Sequence, residues 1–100
     1  MISKQVKFNP EMVFEYCRQH GIKKLAVFGS AVHDNMRADS DLDILVEFKK
    51  PVGLFRLVRI ETEMMSLFSG ISKIDLVTKN ALSEYFRDEV VREAEVVYAE

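Results

Sequence analysis

Two stretches, Leu25-Ala26-Val27-Phe28-Gly29-Ser30 and Asp41-Leu42-Asp43-Ile44-Leu45-Val46, decide how this chain folds. The first is apolar on both sides of an extended backbone, as a central strand is. It runs into a glycine, which permits a tight turn, and a serine able to cap a helix beyond it. The second alternates. Leu42, Ile44, Val46 and Phe48 point one way, while Asp41, Asp43, Leu45 and Glu47 point the other, and Lys49-Lys50-Pro51 ends the strand.

Outward from these strands the signals are mainly helical. Asn9-Pro10-Glu11 offers an N-cap, a proline at the first helical position and an acid in the first turn, and Gly21 suits a C-terminal cap. These signals bound a helix over 10–20, with Met12, Val13, Tyr16 and Cys17 on one stripe. Residues 30–36 read as about two helical turns and 37–40 as a loop. A long helix is expected over 53–69, turning Leu54, Leu57, Val58, Met64, Met65 and Phe68 inward and closed by Gly70. Residues 73–78 form a third strand. A last helix, about 82–94, presents Tyr85, Phe86, Val90 and Val91, and Val96-Val97-Tyr98 adds a short strand or a docking tail. The order α-β-α-β-α-β-α predicts an α/β (α+β) domain: a small mixed or parallel sheet with helices mainly on one face. Residues 1–100 are read as a single domain, with 1–9 a polar lead-in expected to fray.

Composition narrows the function. Sixteen acidic against fourteen basic residues give a net charge of −2, which argues against an extended nucleic-acid surface. Handling one nucleotide stays open, because metal ions can supply positive charge. A lone cysteine, Cys17, excludes an internal disulfide and a thiolate cluster. The longest apolar run, 25–28, is far short of the ~20 residues a membrane helix needs, and the amino terminus lacks a signal-peptide core. A cytoplasmic location is expected.

The chemistry gathers on the acidic face. Asp41 and Asp43, two apart in a strand, project side by side and repel. Oxygen-only ligands of this kind suit Mg²⁺. Gly29-Ser30, at a strand-to-helix turn, offers backbone N–H groups, a hydroxyl and a helix start suited to phosphate. Asp75 interrupts the apolar strand Ile74-Asp75-Leu76-Val77, where burial without a partner is costly. If that strand lies beside the first two, three carboxylates surround two metals, as two-metal nucleotidyl transfer requires.

Val27-Phe28-Gly29-Ser30, the ten-residue gap, Asp41-Leu42-Asp43 and Lys73-Ile74-Asp75-Leu76-Val77 resemble the minimal nucleotidyltransferase (MNT) family of the polymerase-beta-like superfamily, over roughly residues 10–98. The resemblance implies that fold and a metal-dependent transfer of an NMP, with ATP or another NTP as the donor. It implies Asp41, Asp43 and Asp75 as catalytic and metal-binding residues, with two Mg²⁺ ions (or Mn²⁺). Gly29 and Ser30 would hold phosphates. It also implies a partner: such proteins resemble the antitoxins of HEPN/MNT toxin–antitoxin pairs, in which AMP is moved onto a tyrosine of the HEPN ribonuclease. The family commonly carries arginines just after Gly-Ser. Here that stretch is Ala31-Val32-His33-Asp34, which weakens the bidentate grip on phosphate, and Arg37 is the expected substitute.

Blander readings stand beside this one. Asp39-Ser40-Asp41-Leu42-Asp43 opens like a calcium loop but has Ile44 and Lys50 where glycine and glutamate belong. Asp75 could pair with Lys73. His33 reads as a surface residue, and Cys17, Met64 and Met65 as core. Two functional alternatives remain: an antitoxin that neutralises its partner by binding alone, and transfer to a small molecule. The second is weaker, since 100 residues leave little room for an acceptor pocket; a partner or a second copy of the chain would supply it.

Overall fold

The computed structural model describes residues 2–33, 36, 37 and 40–100. Its elements are β1 (Lys7–Phe8), α1 (Pro10–Gln19), β2 (Ile22–Phe28), a 3-10 turn (Gly29–Ala31), β3 (Leu42–Phe48), α2 (Leu54–Met64), β4 (Phe68–Ser69), β5 (Ile74–Thr78), a second 3-10 turn (Lys79–Ala81), α3 (Arg87–Glu93) and β6 (Glu95–Ala99). The main sheet runs β5-β3-β2-β6, and β1 pairs with β4 in a separate two-stranded ribbon. β2 is antiparallel to both neighbours, whereas β3 and β5 are parallel. A parallel pair needs a crossover, and α2 lies within it. The mixed α/β sheet expected from the sequence is present.

The core lies on the face of Leu25, Val27, Leu42, Ile44, Val46, Ile74 and Leu76, against Val13 and Cys17 of α1 and Ile60 and Met64 of α2. Each fully buried aliphatic side chain here contributes roughly 1.5–3 kcal/mol relative to exposure. Phe14 of α1 meets Tyr98 of β6 with ring centroids 5.6 Å apart. Behind the sheet, Ala26 and Leu45 border a cavity of about 90 Å³ whose other lining includes Val91 of α3. The α1 start matches the sequence reading closely: Asn9 Oδ1 accepts from the N–H of Glu11 at 2.9 Å and of Met12 at 3.4 Å.

Four expectations are corrected. The helix expected over 53–69 stops at Met64, because Phe68 and Ser69 leave it to pair with Phe8 and Lys7; the Phe8 and Phe68 rings lie 5.2 Å apart. The face it buries differs in part: Met64 is buried and Leu57 packs against the core as expected, and Ile60 joins them, whereas Leu54 is 72% exposed and Val58 and Met65 are exposed as well. The helix expected over 82–94 begins only at Arg87. A turn closed by the Phe86 N–H on the Ser83 carbonyl precedes it, leaving Tyr85 in solvent. The lead-in expected to fray is docked, with Val6 buried and β1 paired.

Met64→Ala should cost about 2–5 kcal/mol in urea unfolding, because it opens a cavity in the closed layer between α2 and the sheet. Leu54→Ala, on the same helix, should stay within about 0.5 kcal/mol.

Candidate active site

Phe28, the last residue of β2, stands in register with Asp43 on β3. The chain then turns at Gly29, whose φ of 74° falls in the left-handed region. A methyl group built there would overlap the Asp43 carboxylate. Glycine is therefore required twice, for its backbone angle and for the room it leaves. Ser30 comes next in the 3-10 turn, closed by the Val32 N–H on the Gly29 carbonyl at 3.1 Å. The sequence-predicted Gly29-Ser30 turn and Asp43 are thus in direct contact.

Asp75 on β5 is the register partner of Asp43 on the parallel strand β3, so the two carboxylates sit side by side on one face. Neighbouring strands lie about 4.8 Å apart, close enough for strong repulsion. Asp41 precedes β3 on the same alternation, and its Oδ2 lies 3.7 Å from Lys73 Nζ. That pair is surface-exposed and screens little. The Asp43 carboxyl is held above the ordinary carboxylate range, first by its burial and then by the charges of Asp75 and Asp41. The three aspartates thus form one electrostatic unit of like charge, offset weakly by the exposed Lys73 beside Asp41. Their hard oxygen donors fit a divalent cation. Among the described residues no three such side chains are already closed into a metal cage.

Several site expectations change in detail. Asp75 is exposed rather than buried in an apolar strand, so its place is set by the sheet register and not by a buried partner. Lys73 pairs with Asp41 and not with Asp75. Of the helix expected over 30–36, with 34 and 35 outside the described residues, the structure has a 3-10 turn at Gly29–Ala31, too short for a macrodipole, with the Ser30 hydroxyl in it. Ala31 is buried in the core, and the exposed His33 pairs through Nε2 with Glu93 at 2.9 Å. Asp34 and Asp39 lie outside the described residues. Arg37 is exposed, and its backbone is pinned from both sides: its N–H donates to Ser40 Oγ at 2.8 Å, and its carbonyl accepts from the Ser40 N–H.

Sequence reasoning missed the support around Asp75. β5 is an edge strand, and its outward N–H groups need acceptors. The Leu76 N–H donates to Glu61 Oε2 at 2.8 Å, and the Ile74 N–H to Met65 Sδ at 3.2 Å. Both acceptors come from the α2 region, so Asp75 is gripped on either side. No local pattern marks Glu61; the contact exists only once α2 has crossed over. A broad depression of about 850 Å³ beside β1, β4 and the start of α1 includes none of the three aspartates, nor Gly29 or Ser30. The candidate site rests on carboxylate chemistry rather than on volume.

The chain matches known proteins over most of its length. The family model described as polymerase beta, nucleotidyltransferase matches residues 11–100. The protein adenylyltransferase MntA of Thermococcus cleftensis is 36% identical over 84 residues, which covers 84% of this chain and 81% of that one. A solved structure of a candidate minimal nucleotidyltransferase superposes with a TM-score of 0.69 at 35% identity, covering 85% of each chain. The fold alone is shared, at a TM-score of 0.62 and 16% identity, with a chain from a complex of the tri-AMPylated Shewanella oneidensis HEPN toxin and its MNT antitoxin; 91% of this chain and 70% of that one are covered. No helix among the described residues is long and apolar enough to cross a membrane. Matched from residue 11 to residue 100, with its Gly-Ser turn set against an Asp-x-Asp strand and a third aspartate alongside, this chain belongs to the polymerase beta nucleotidyltransferase family, in its minimal branch.

Proposed function

We propose that this chain acts as a single cytoplasmic domain that moves AMP from ATP onto a tyrosine hydroxyl of a HEPN-type ribonuclease, and so serves as its antitoxin. The observation that carries the proposal is the contact of Gly29 with Asp43 together with the register of Asp43 and Asp75. The similarity to a protein adenylyltransferase and the AMPylated toxin in the Shewanella complex support it.

Gly29 and Ser30 would receive the β- and γ-phosphates, with Arg37 adding charge from the adjoining loop. Asp41 and Asp43 would hold two Mg²⁺ ions, and Asp75 would complete the set beside the acceptor. When bound, Mg²⁺ neutralises the triphosphate and lowers the pKa of the attacking hydroxyl. Asp75, exposed on its strand, is open to an incoming side chain and suited to accept the tyrosine proton. The tyrosine oxygen forms a bond to the α-phosphorus, the bond from that phosphorus to the β-bridging oxygen breaks, and pyrophosphate leaves with the electron pair. A second reading, neutralisation by binding alone, is favoured by one observation: Ala31, Val32 and His33 stand where the family commonly carries arginines, and Glu93 occupies His33. It predicts a complex that forms without ATP and tolerates loss of the aspartates.

Incubated with its partner, ATP and Mg²⁺, the wild-type chain should add a mass of AMP to that partner, and Asp75→Asn should reduce the rate at least about 100-fold, as loss of a proton acceptor does. Intact-mass spectrometry decides. Equal binding with no mass gain by either chain would make binding the function. Gly29→Ala should lose transfer and also stability, by about 1 kcal/mol or more, since it must escape both the positive φ and the Asp43 carboxylate.

Asp43 gives a pH prediction. Its folded-state pKa is raised, so the native state holds that proton more tightly than the unfolded chain. Its contribution to stability is therefore present in acid and is lost as pH rises through the ordinary carboxylate range to the raised value. In EDTA at pH 7, Asp43→Asn should melt a few degrees above wild type, and the gap should close below about pH 4. Scanning calorimetry across that range checks the sign, and added MgCl₂ should narrow the gap at pH 7 by stabilising the wild type.

A further inference from the structure

We infer that the lead-in, residues 3–8, is a strap that sets the position of the loops around the aspartates, with Gln5 as its positioning residue. This rests on the proposed roles of Ser30, Arg37 and the three aspartates. Three contacts carry it. The Ser3 N–H donates to the Ala31 carbonyl at 2.6 Å, at the end of the turn that holds Gly29 and Ser30. The Gln5 amide Nε2 donates one hydrogen to the Arg37 carbonyl at 2.5 Å and the other to the Gly70 carbonyl at 2.9 Å. Further along, Lys7 and Phe8 pair with β4.

One side-chain amide therefore joins the loop entering β3 to the turn entering β5, the two segments that deliver Asp41 and Asp43 on one side and Asp75 on the other. The connection continues through the backbone. The Ser40 N–H also donates to the Arg37 carbonyl at 3.0 Å, the Ser72 N–H to the Ser40 carbonyl at 3.1 Å, and the Leu42 N–H to the Lys73 carbonyl at 2.8 Å. The far end is built to admit the strap. Gly70 has φ 80°, and a methyl group there would collide with the Gln5 carbonyl. On its own side, Gln5 is held by a short turn: its N–H donates to Ser3 Oγ at 3.2 Å and the Val6 N–H to the Ser3 carbonyl at 3.1 Å, and Val6 is buried.

Gln5 meets Arg37 through its backbone carbonyl and, among the described residues, hydrogen-bonds to neither Ser30 nor Asp41, Asp43 or Asp75, so its effect on transfer is indirect. Its hydrogen bonds are solvent-exposed, and water can replace them at little cost to global stability. What water cannot replace is the simultaneous hold on two loops. Losing it should blur the arrangement that receives ATP more than it slows the chemical step.

The test compares the full chain with Gln5→Glu, which keeps the length but turns the donor into an acceptor facing two carbonyls, and with Gln5→Ala. Hydrogen exchange at the Ser40 and Ser72 amides should quicken about three- to tenfold in both, the scale of one or two modest hydrogen bonds. KM for ATP should rise by a similar factor, with kcat changed less than twofold and Tm within a few degrees of wild type. Unchanged exchange at Ser40 and Ser72, or an unchanged KM, would overturn the inference. If the wild type transfers no AMP, the proposed function fails, and exchange at those two amides alone still decides whether the strap exists.

Discussion

The register that sets the like-charged Asp43 and Asp75 side by side is the constraint around which the rest of the domain is arranged. Two parallel strands must run in strict register to bring those carboxylates together, and parallel strands cannot be joined by a tight turn. A crossover is therefore needed, and α2 supplies its length and buries Ile60 and Met64 beneath the sheet. The same constraint explains why Gly29 has no side chain: the turn after β2 leans directly on Asp43. Burial alone raises the cost of charge on Asp43, and its two neighbours raise it further. The domain thus carries a concentrated repulsion that hydrophobic burial elsewhere must offset.

The grip on β5 shows how that repulsion is contained. An edge strand bearing an exposed carboxylate next to another carboxylate has little reason to stay in place. Glu61 and Met65 provide one by accepting from the N–H groups on either side of Asp75. These hydrogen bonds also occupy the groups through which an edge strand would otherwise recruit a foreign strand. On the other side of the site, the Gly29–Ala31 turn is tied to the strand system by its contact with β3 and to α3 through His33 and Glu93.

Much of this was legible in the sequence, for identifiable reasons. The α1 start carried a complete local code in Asn9, Pro10 and Glu11, and the structure uses it as written. β3 and β5 were legible because an alternating strand with one buried face has a period that nothing else mimics, and the aspartates stood out against it. The end of α2 was not legible. Phe68 continues a helical stripe, yet its ring packs at a tilt against Phe8 in the β1–β4 ribbon, a partner some sixty residues away. The inward face of α2 was legible only in part, at Leu57 and Met64: an apolar stripe on a helix this rich in Leu, Val, Ile and Met is broad, and only the sheet selects Ile60 over Leu54 and Val58. For the site, the residue types were readable while their supports were not, because Gln5, Glu61 and Gly70 act through contacts that appear only after the chain has folded.

The place of β2 between β3 and β6 has a consequence for how the molecule comes into being. β2 pairs with the next strand of its sheet, but its other edge pairs Lys24 with Ala99 and Leu25 with Tyr98, across most of the sequence. Closing so large a loop is entropically costly, so this second edge of β2 is the costlier of its two pairings to form. On a ribosome, β2 and β3 can meet early, while the second edge of β2 waits for residues near position 100. Until they emerge, the strand that ends at Gly29 is held from one side only, and the turn that leans on Asp43 hangs from a half-paired strand.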